Sequence, residues 1–157
     1  MNALLWHILL ALLWVAMHGQ FTPAHFAVGL GLGLLILSCT RRVVGAPHYL
    51  RKVGQILNLG LFFVWELLLA NLRVAYDVVT PRHRMRPGVI GIPLAARTDL
   101  EITLLSSMIS LTPGTLSLDV SADRQTLYIH AMYLEDVEAV RRKIKDGFER
   151  RVLEVLR

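Results

Sequence analysis

Residues Ala3 to Met17 read ALLWHILLALLWVAM and contain no Asp, Glu, Lys or Arg. After an interruption from His18 to Pro23, a second uncharged apolar run extends from Ala24 to Cys39. A backbone in lipid has no water to bond, so each run is expected to be a helix, about residues 3–18 and 22–39. The two runs predict a helical hairpin in a membrane. Each arm is somewhat shorter than the ~20 residues that cross a bilayer without tilt.

The amino-acid composition also indicates a membrane protein. Hydrophobic residues make up 54% of the 157 residues, and the excess over ordinary globular usage lies in residues 1–79. We therefore interpret residues 1–79 as the transmembrane region. No cleaved signal peptide is predicted, because no Lys or Arg precedes the first apolar run and a second run follows at once.

The basic residues cluster beside the apolar segments. The net charge is +5, and the flanking cations are Arg41, Arg42, Arg51, Lys52, Arg82, Arg84 and Arg86. Positive charge in these places is typical of a cytoplasmic flank beside anionic lipid, so we expect the lipid bilayer as a partner and the C-terminal domain in the cytoplasm. The sequence has no known nucleic-acid binding motif, and we expect no nucleic-acid partner.

No metal or cofactor site is predicted. Cys39 is the only cysteine, which excludes an internal disulfide. The six histidines show no metal-ligand spacing with Cys or carboxylates. Ser110, Thr112 and Thr115 have no sequence cue for an activating base. We therefore expect that the chain is not an enzyme and uses no cofactor.

Gly29 and Gly33 lie on one face of the second apolar run. This small-xxx-small spacing lets two helix backbones approach closely, so both glycines are candidates for helix packing. The alternative is that glycine is simply common in membrane helices, and the sequence leaves both interpretations open. A dinucleotide-binding loop is disfavoured, since no strand precedes these glycines.

A third apolar stretch, about residues 54–79, carries Glu66, Arg73 and Asp77. At about 100° per residue these side chains form one polar stripe on an otherwise apolar helix. The helix either spans the membrane with this stripe toward a partner protein, or lies at the interface with the stripe toward headgroups. A proton or cation relay through Glu66 and Asp77 is one hypothesis. We favour an Arg73–Asp77 pair and a contact of Glu66 with a partner chain.

A basic linker, residues 80–88, precedes a small α+β domain, residues 89–157. Pro81 and Pro87 at the two ends of the linker each stop a helix. Thr98 and Glu101 form a capping box, and the later segments alternate apolar with polar positions or follow a helical period. The predicted order is β-α-β-β-α, with strands at 89–94, 115–120 and 126–132, a helix from Thr98 through about Leu111 and a terminal helix after Asp136.

Thr112, Pro113, Gly114 and Thr115 are interpreted as a structural turn between the capped helix and the next strand. Proline fixes φ, glycine supplies a positive φ, and the threonines can bond free backbone groups at the end of the helix. A cation site made of the turn carbonyls is the alternative.

The sequence resembles the small E-type component of the multisubunit cation/proton antiporters of the Mrp type over nearly its whole length. The most specific segments are ISLTPGTLSLDV, from Ile109 to Val120, and LYIHA, from Leu127 to Ala131. Shorter supporting segments are Trp65-Glu66, Ala70-Asn71, Val74 to Val78 and Arg86-Pro87-Gly88. In that family the large subunits contain the ion channels, and the E-type component is an accessory chain needed for assembly.

The resemblance implies a non-catalytic subunit of a sodium or monovalent cation/proton antiporter in the bacterial inner membrane. Its implied partners are other antiporter subunits, including large polytopic ones. The residues alone also allow a stand-alone membrane-anchored adaptor whose α+β domain binds a soluble partner. A membrane enzyme is disfavoured, because no acid, base or nucleophile constellation is visible.

Overall fold

The computed structural model of the chain describes residues 3–40, 47–80 and 85–157. The predicted flanking cations Arg41, Arg42, Arg82 and Arg84 and the first part of the predicted linker lie outside these residues. The chain divides into two compact units, Met1–Gly54 and Gln55–Arg157. Each unit is described by itself.

The first unit contains two apolar helices, α1 (Ala3–His18) and α2 (Pro23–Cys39). A turn with Gly19 at φ +66° ends α1, a backbone conformation that glycine adopts without strain. Thr22 caps α2, because its hydroxyl accepts the amide of His25 at 3.2 Å. Proline at the first position of α2 suits a helix start, since its missing N–H would have had no partner there.

A long helix, α3 (Pro47–Val79), follows. It begins well before residue 54, where the sequence predicted its start. Arg51 and Lys52 suggested a flank outside the helix, but charged residues are good helix formers and do not end one. Among the described helices, α3 is the one long and apolar enough to span a membrane, with a window of mean hydropathy 1.7 within His48–Val79.

The second unit is built around a three-stranded antiparallel sheet. Its strands β1 (Gly88–Pro93), β2 (Thr115–Val120) and β3 (Thr126–Ala131) lie in the order β1-β3-β2. A β-bulge between Ser117 and Asp119 shifts the register of β2 against β3. β1 begins at Gly88, the last residue of the predicted linker, and its pairing with β3 places Gly88 opposite Ala131.

Helices cover the face of the sheet on which Ile92, Leu127 and Ile129 are buried. α4 (Asp99–Leu111) lies between β1 and β2 in the sequence, and the capping box of Thr98 and Glu101 opens it. The terminal helix has three parts, α5 (Val137–Arg142), a π-helical segment (Lys143–Glu149) and α6 (Arg150–Leu156). The core of the unit contains Leu59, Ile90, Ile92, Leu105, Met108, Ile109, Leu127, Ile129, Ile144, Phe148 and Val152.

Two buried glutamates tie the ends of the domain together. The carboxylate of Glu149 accepts hydrogen bonds from the amides of Ala95 and Ala96 at 2.6 and 3.0 Å. The carboxylate of Glu101 accepts a hydrogen bond from the guanidinium of Arg157 at 2.9 Å. This hydrogen bond and the amide of Arg97 lower the pKa of Glu101 from 4.5 to about 2. The carboxylate of Glu101 therefore remains charged at neutral pH. The hydrogen bonds of both glutamates hold the loop before α4 against the terminal helix.

Candidate functional site

The polar stripe of α3 faces the sheet domain of its own chain. Glu66 is buried, and its carboxylate forms an ion pair with the ammonium of Lys143 in the π-helical segment. Lys143 is half exposed, which leaves the pair accessible to water on one side. Within this chain, Glu66 has an intramolecular counter-charge at the position where the sequence suggested a partner chain.

Asp77, near the end of α3, is the second buried acid of the stripe, with 3% of its surface exposed. The hydroxyl of Tyr133 donates to its carboxylate at 2.5 Å. This hydrogen bond is the largest cause of a raised pKa of the Tyr133 hydroxyl, and burial adds to it. Asp77 therefore fastens the end of α3 to the segment that follows β3.

The Arg73–Asp77 ion pair favoured by the sequence is absent from the described part of the chain. The guanidinium of Arg73 instead lies 5.4 Å from the centre of the Tyr133 ring, a cation–π contact. The i,i+4 spacing allowed the pair, but both side chains instead contact Tyr133, which belongs to a distant part of the sequence. Arg73 thus contacts the ring of Tyr133, and Asp77 accepts a hydrogen bond from its hydroxyl.

Phe62 joins α3 to the terminal helix, and the sequence analysis did not single it out. Its ring packs edge-on against Phe148, with ring centres 5.1 Å apart. The guanidinium of Arg151 lies 4.0 Å from the centre of the Phe62 ring. A Cβ at Gly147 would come within 2.9 Å of this ring, so the π-helical segment approaches α3 as only glycine allows. The sequence does contain one indication of this role. Phe62 lies one turn before Glu66, on the face of α3 that carries the polar stripe.

Hydrogen bonds connect the predicted turn Thr112–Thr115 to the end of α4 and to Met132. The hydroxyl of Thr112 donates to the carbonyl of Met108 at 2.9 Å, and that of Thr115 donates to the carbonyl of Ile109 at 2.7 Å. The carbonyl of Thr112 accepts from Thr115, and that of Gly114 accepts from Met132. Gly114 has φ +88°.

These bonds weaken the alternative of a cation site in the turn, because the carbonyls of Thr112 and Gly114 already accept hydrogen bonds. Among the described residues, no group of three or more His, Cys, Asp or Glu side chains could hold a metal ion. The geometry supports the interpretation of the turn as a structural element.

The turn and α3 border a pocket of about 110 Å³. Apolar side chains form most of its wall, and the polar side chains in it are Arg73, Thr112, Thr115, Tyr133 and Lys143. The pocket therefore brings together Arg73 and all four turn residues, which the sequence had singled out separately. Its lining residues are Leu69, Ala70, Arg73, Ile109, Thr112, Pro113, Gly114, Thr115, Ala131, Tyr133, Val140, Lys143, Ile144 and Phe148.

In the first unit, Gly29 and Gly33 lie against α1. A Cβ at Gly29 would come within 2.8 Å of the carbonyl oxygen of Ala11, and one at Gly33 within 2.9 Å of the ring of His7. His7 is buried and bonds the carbonyl of Leu30 and the hydroxyl of Tyr49, each at 2.7 Å. A carbonyl only accepts, so Nε2 of His7 carries the proton. Both glycines thus lie at a close helix contact that His7 extends.

Comparison with known proteins identifies relatives along nearly the whole chain. The model of a family described as Na+/H+ ion antiporter subunit matches residues 7–155. The E-type chain of the Na(+)/H(+) antiporter of Alkalihalophilus pseudofirmus is 40% identical over 152 residues, 97% of this chain and 96% of the relative. The corresponding antiporter chain of Bacillus subtilis is 40% identical over 154 residues, 98% of each chain.

Two solved structures are similar to this chain. A chain of the Mrp complex from Dietzia sp. DQ12-45-1b superposes with a TM-score of 0.51 at 32% identity, covering 62% of this chain and 91% of the other. A chain of the membrane-bound sulfane sulfur reductase, an archaeal respiratory membrane complex, has a TM-score of 0.56 and covers 96% of each chain. The latter shares 24% identity, so it supports the fold alone.

Proposed function

This chain belongs to the family of E-type Na+/H+ antiporter subunits, and we propose that it is an accessory, non-catalytic component of a multisubunit monovalent cation/proton antiporter. In this role it supports the assembly and stability of the complex. The observation that carries the proposal is the length of the match, because relatives at 40% identity align with nearly the whole chain and nearly the whole of themselves. Both the apolar helices and the sheet domain are therefore shared.

The proposed topology has residues 1–79 as the membrane region and the sheet domain in the cytoplasm of a bacterial cell. Helices α1 and α2 cross the inner membrane and return. The basic flanks support this orientation, since Lys and Arg accumulate on the cytoplasmic side of membrane segments. Residues 80–88 link the membrane region to the domain.

The surface of α1 and α2 supports partners within the membrane. Large apolar side chains cover both helices on the outside, including Leu5, Leu9, Leu13, Phe26, Leu35 and Ile36, and all of these are exposed in the single chain. Such a surface needs lipid or other helices around it. Because both helices are short for a bilayer, neighbouring helices of large polytopic subunits are expected to cover part of it.

Purification tests this proposal. The full-length chain with a C-terminal affinity tag would be extracted in a mild detergent from cells that express its neighbouring genes. We expect large polytopic antiporter subunits to co-purify in a complex that exchanges cations for protons. A chain that migrates alone, with the transport activity in other fractions, would instead support a stand-alone membrane-anchored adaptor.

A further inference from the structure

One face of α3 is covered by the sheet domain along most of the helix. Leu59 belongs to the domain core, and Phe62 packs on Phe148. Further along, Glu66 pairs with Lys143 and Asp77 bonds Tyr133. At about 1.5 Å per residue, the covered part from Leu59 to Asp77 is roughly 28 Å long.

The opposite face of α3 is apolar and open. Its side chains recur three, four and seven positions apart, so they form one stripe along the helix. The stripe includes Trp65 and Tyr76, residues that favour the boundary between membrane and water. Its members, each more than half exposed, are Leu57, Leu61, Val64, Trp65, Leu68, Leu72, Tyr76 and Val79.

These two faces do not fit a membrane-spanning helix. The domain surface beside α3 carries Lys143 and Arg151, charged groups that do not enter the hydrocarbon core. The part of α3 that the domain covers is therefore not surrounded by lipid. The part before it, from Pro47 to Asn58, is roughly 18 Å long at about 1.5 Å per residue, against a core of about 30 Å.

We infer that α3 lies along the cytoplasmic surface of the bilayer, with the apolar stripe in the lipid and the sheet domain on its other side. This placement covers the apolar stripe with lipid and keeps the ion pair of Glu66 and Lys143 in water. Arg51 and Lys52 before the stripe suit anionic headgroups. The inference rests on the membrane location in the proposed function, and it explains how the domain is held, because a helix in the interface fixes the domain against the membrane plane.

Spin labels on the stripe test the inference. Single cysteines at Leu61, Leu68 and Leu72 would be introduced in a Cys39→Ala background, since these exposed side chains tolerate replacement. The full-length chain would be reconstituted, with the proteins that co-purify, in vesicles of phosphatidylcholine and phosphatidylglycerol. Depth is measured from the collision of each label with oxygen and with a water-soluble nickel chelate. Ala122→Cys, in the turn between β2 and β3, is the matched control in water.

We expect Leu61, Leu68 and Leu72 to report one common depth, about 5–10 Å inside the headgroup boundary. A depth that changes steadily along the helix would show a span and overturn the inference. Protection from both reagents would identify a neighbouring protein as the cover and overturn it too, and access to the chelate would exclude membrane contact. A label at Leu9 distinguishes failure of this inference from failure of the proposed function. If Leu9 lies in water, the membrane hairpin of the proposed function is refuted.

Discussion

Tyr133 contacts two elements that are far apart in the sequence, the end of α3 and the turn at Gly114. It bonds Asp77, lies under Arg73 and contacts the position of Gly114, where a Cβ would be 3.2 Å from its ring. Tyr133→Phe keeps the ring and removes only the hydroxyl. We expect the free energy of unfolding of the second unit to fall by about 1–3 kcal/mol, because the buried carboxylate of Asp77 loses its donor.

Pulse proteolysis of the full-length chain in detergent, over a urea series, measures this loss. Tyr128→Phe is the matched control, because Tyr128 is an exposed strand tyrosine. In a double-mutant cycle with Asp77→Asn, the two changes should be strongly non-additive. Additive effects would show that the hydrogen bond contributes nothing to the attachment of α3.

The pair of Glu66 and Lys143 predicts an asymmetry between its two members. Lys143→Ala leaves a carboxylate that is 11% exposed, whereas Glu66→Ala leaves an ammonium that is 46% exposed. The more buried charge is the costlier one to leave alone. We therefore expect Lys143→Ala to lower the yield of assembled complex more than Glu66→Ala.

In both variants, the complexes that remain should keep their cation dependence. Yield is measured by native electrophoresis and activity by proton-flux assays on vesicles. Arg150→Ala, at an exposed position of the same terminal helix, is the control. Fully assembled but inactive Glu66→Ala complexes would support the relay hypothesis and contradict the structural role.

At the scale of elements, the turn before β2 is the point where backbone geometry restricts the sequence most. Gly114 has φ +88° and lies against Tyr133, so a β-branched side chain there meets both backbone strain and a steric clash. Gly114→Val should cost about 1–3 kcal/mol. We expect reduced membrane levels and faster proteolysis of the domain, with transport reduced only in proportion.

Gly31→Val is the comparison, because no atom lies near a Cβ at Gly31 and its φ is not positive. Protein levels are measured by immunoblotting of membranes, and transport is normalised to them. A Gly114→Val variant that accumulates normally, resists protease and yet fails to transport would assign the turn a direct role in ion handling.

The contact of Glu101 with Arg157, which joins α4 to the terminal helix, is expected to make the stability of the domain depend on pH. Its pKa is lowered in the folded domain from 4.5 to about 2, chiefly by the hydrogen bond from Arg157. The folded state thus binds this proton less readily than the unfolded state, so the stabilisation is complete above pH 4.5 and is lost as the pH falls toward 2.

Glu101→Gln should therefore flatten the acid limb of the stability curve. We expect the urea midpoint of the wild type to exceed that of Glu101→Gln near pH 6 and the gap to narrow steadily below about pH 4.5. Glu154→Gln, at a partly exposed position in the terminal helix, controls for the loss of a charge. A gap that stays constant down to about pH 2 would contradict the assigned cause.

Elements defined by near neighbours could be predicted from the sequence. The capping box at Thr98 needs only Glu101 three residues later, and the turn at Gly114 needs only the proline before it. The contact between Asp77 and Tyr133 joins residues 56 positions apart, and no local pattern encodes it. No local pattern marks the contact between Gly147 and Phe62 either, because Phe62 belongs to another helix.

At the scale of the whole molecule, the hairpin and the domain have surfaces suited to different environments. The exposed side chains of α1 and α2 need lipid or other helices. Charged side chains of the domain such as Asp99 and Arg124 are exposed and suit water. Helix α3 has one face for each environment. Its polar stripe contacts the domain, and its opposite face is apolar. The sequence showed the stripe but could not show which partner met it.

The basic flanks of the apolar segments predict the orientation of the chain in the membrane. We predict that the domain lies in the cytoplasm, because Arg51, Lys52 and Arg86 border the membrane segments. In a Cys39→Ala background, a cysteine at Ala122 should resist a membrane-impermeant maleimide in intact cells and react after permeabilisation. Gln20→Cys, in the turn between α1 and α2, is the opposite control and should react in intact cells, since a hairpin with both ends inside exposes its turn. Labelling of Ala122→Cys with protection of Gln20→Cys would show that the topology is inverted.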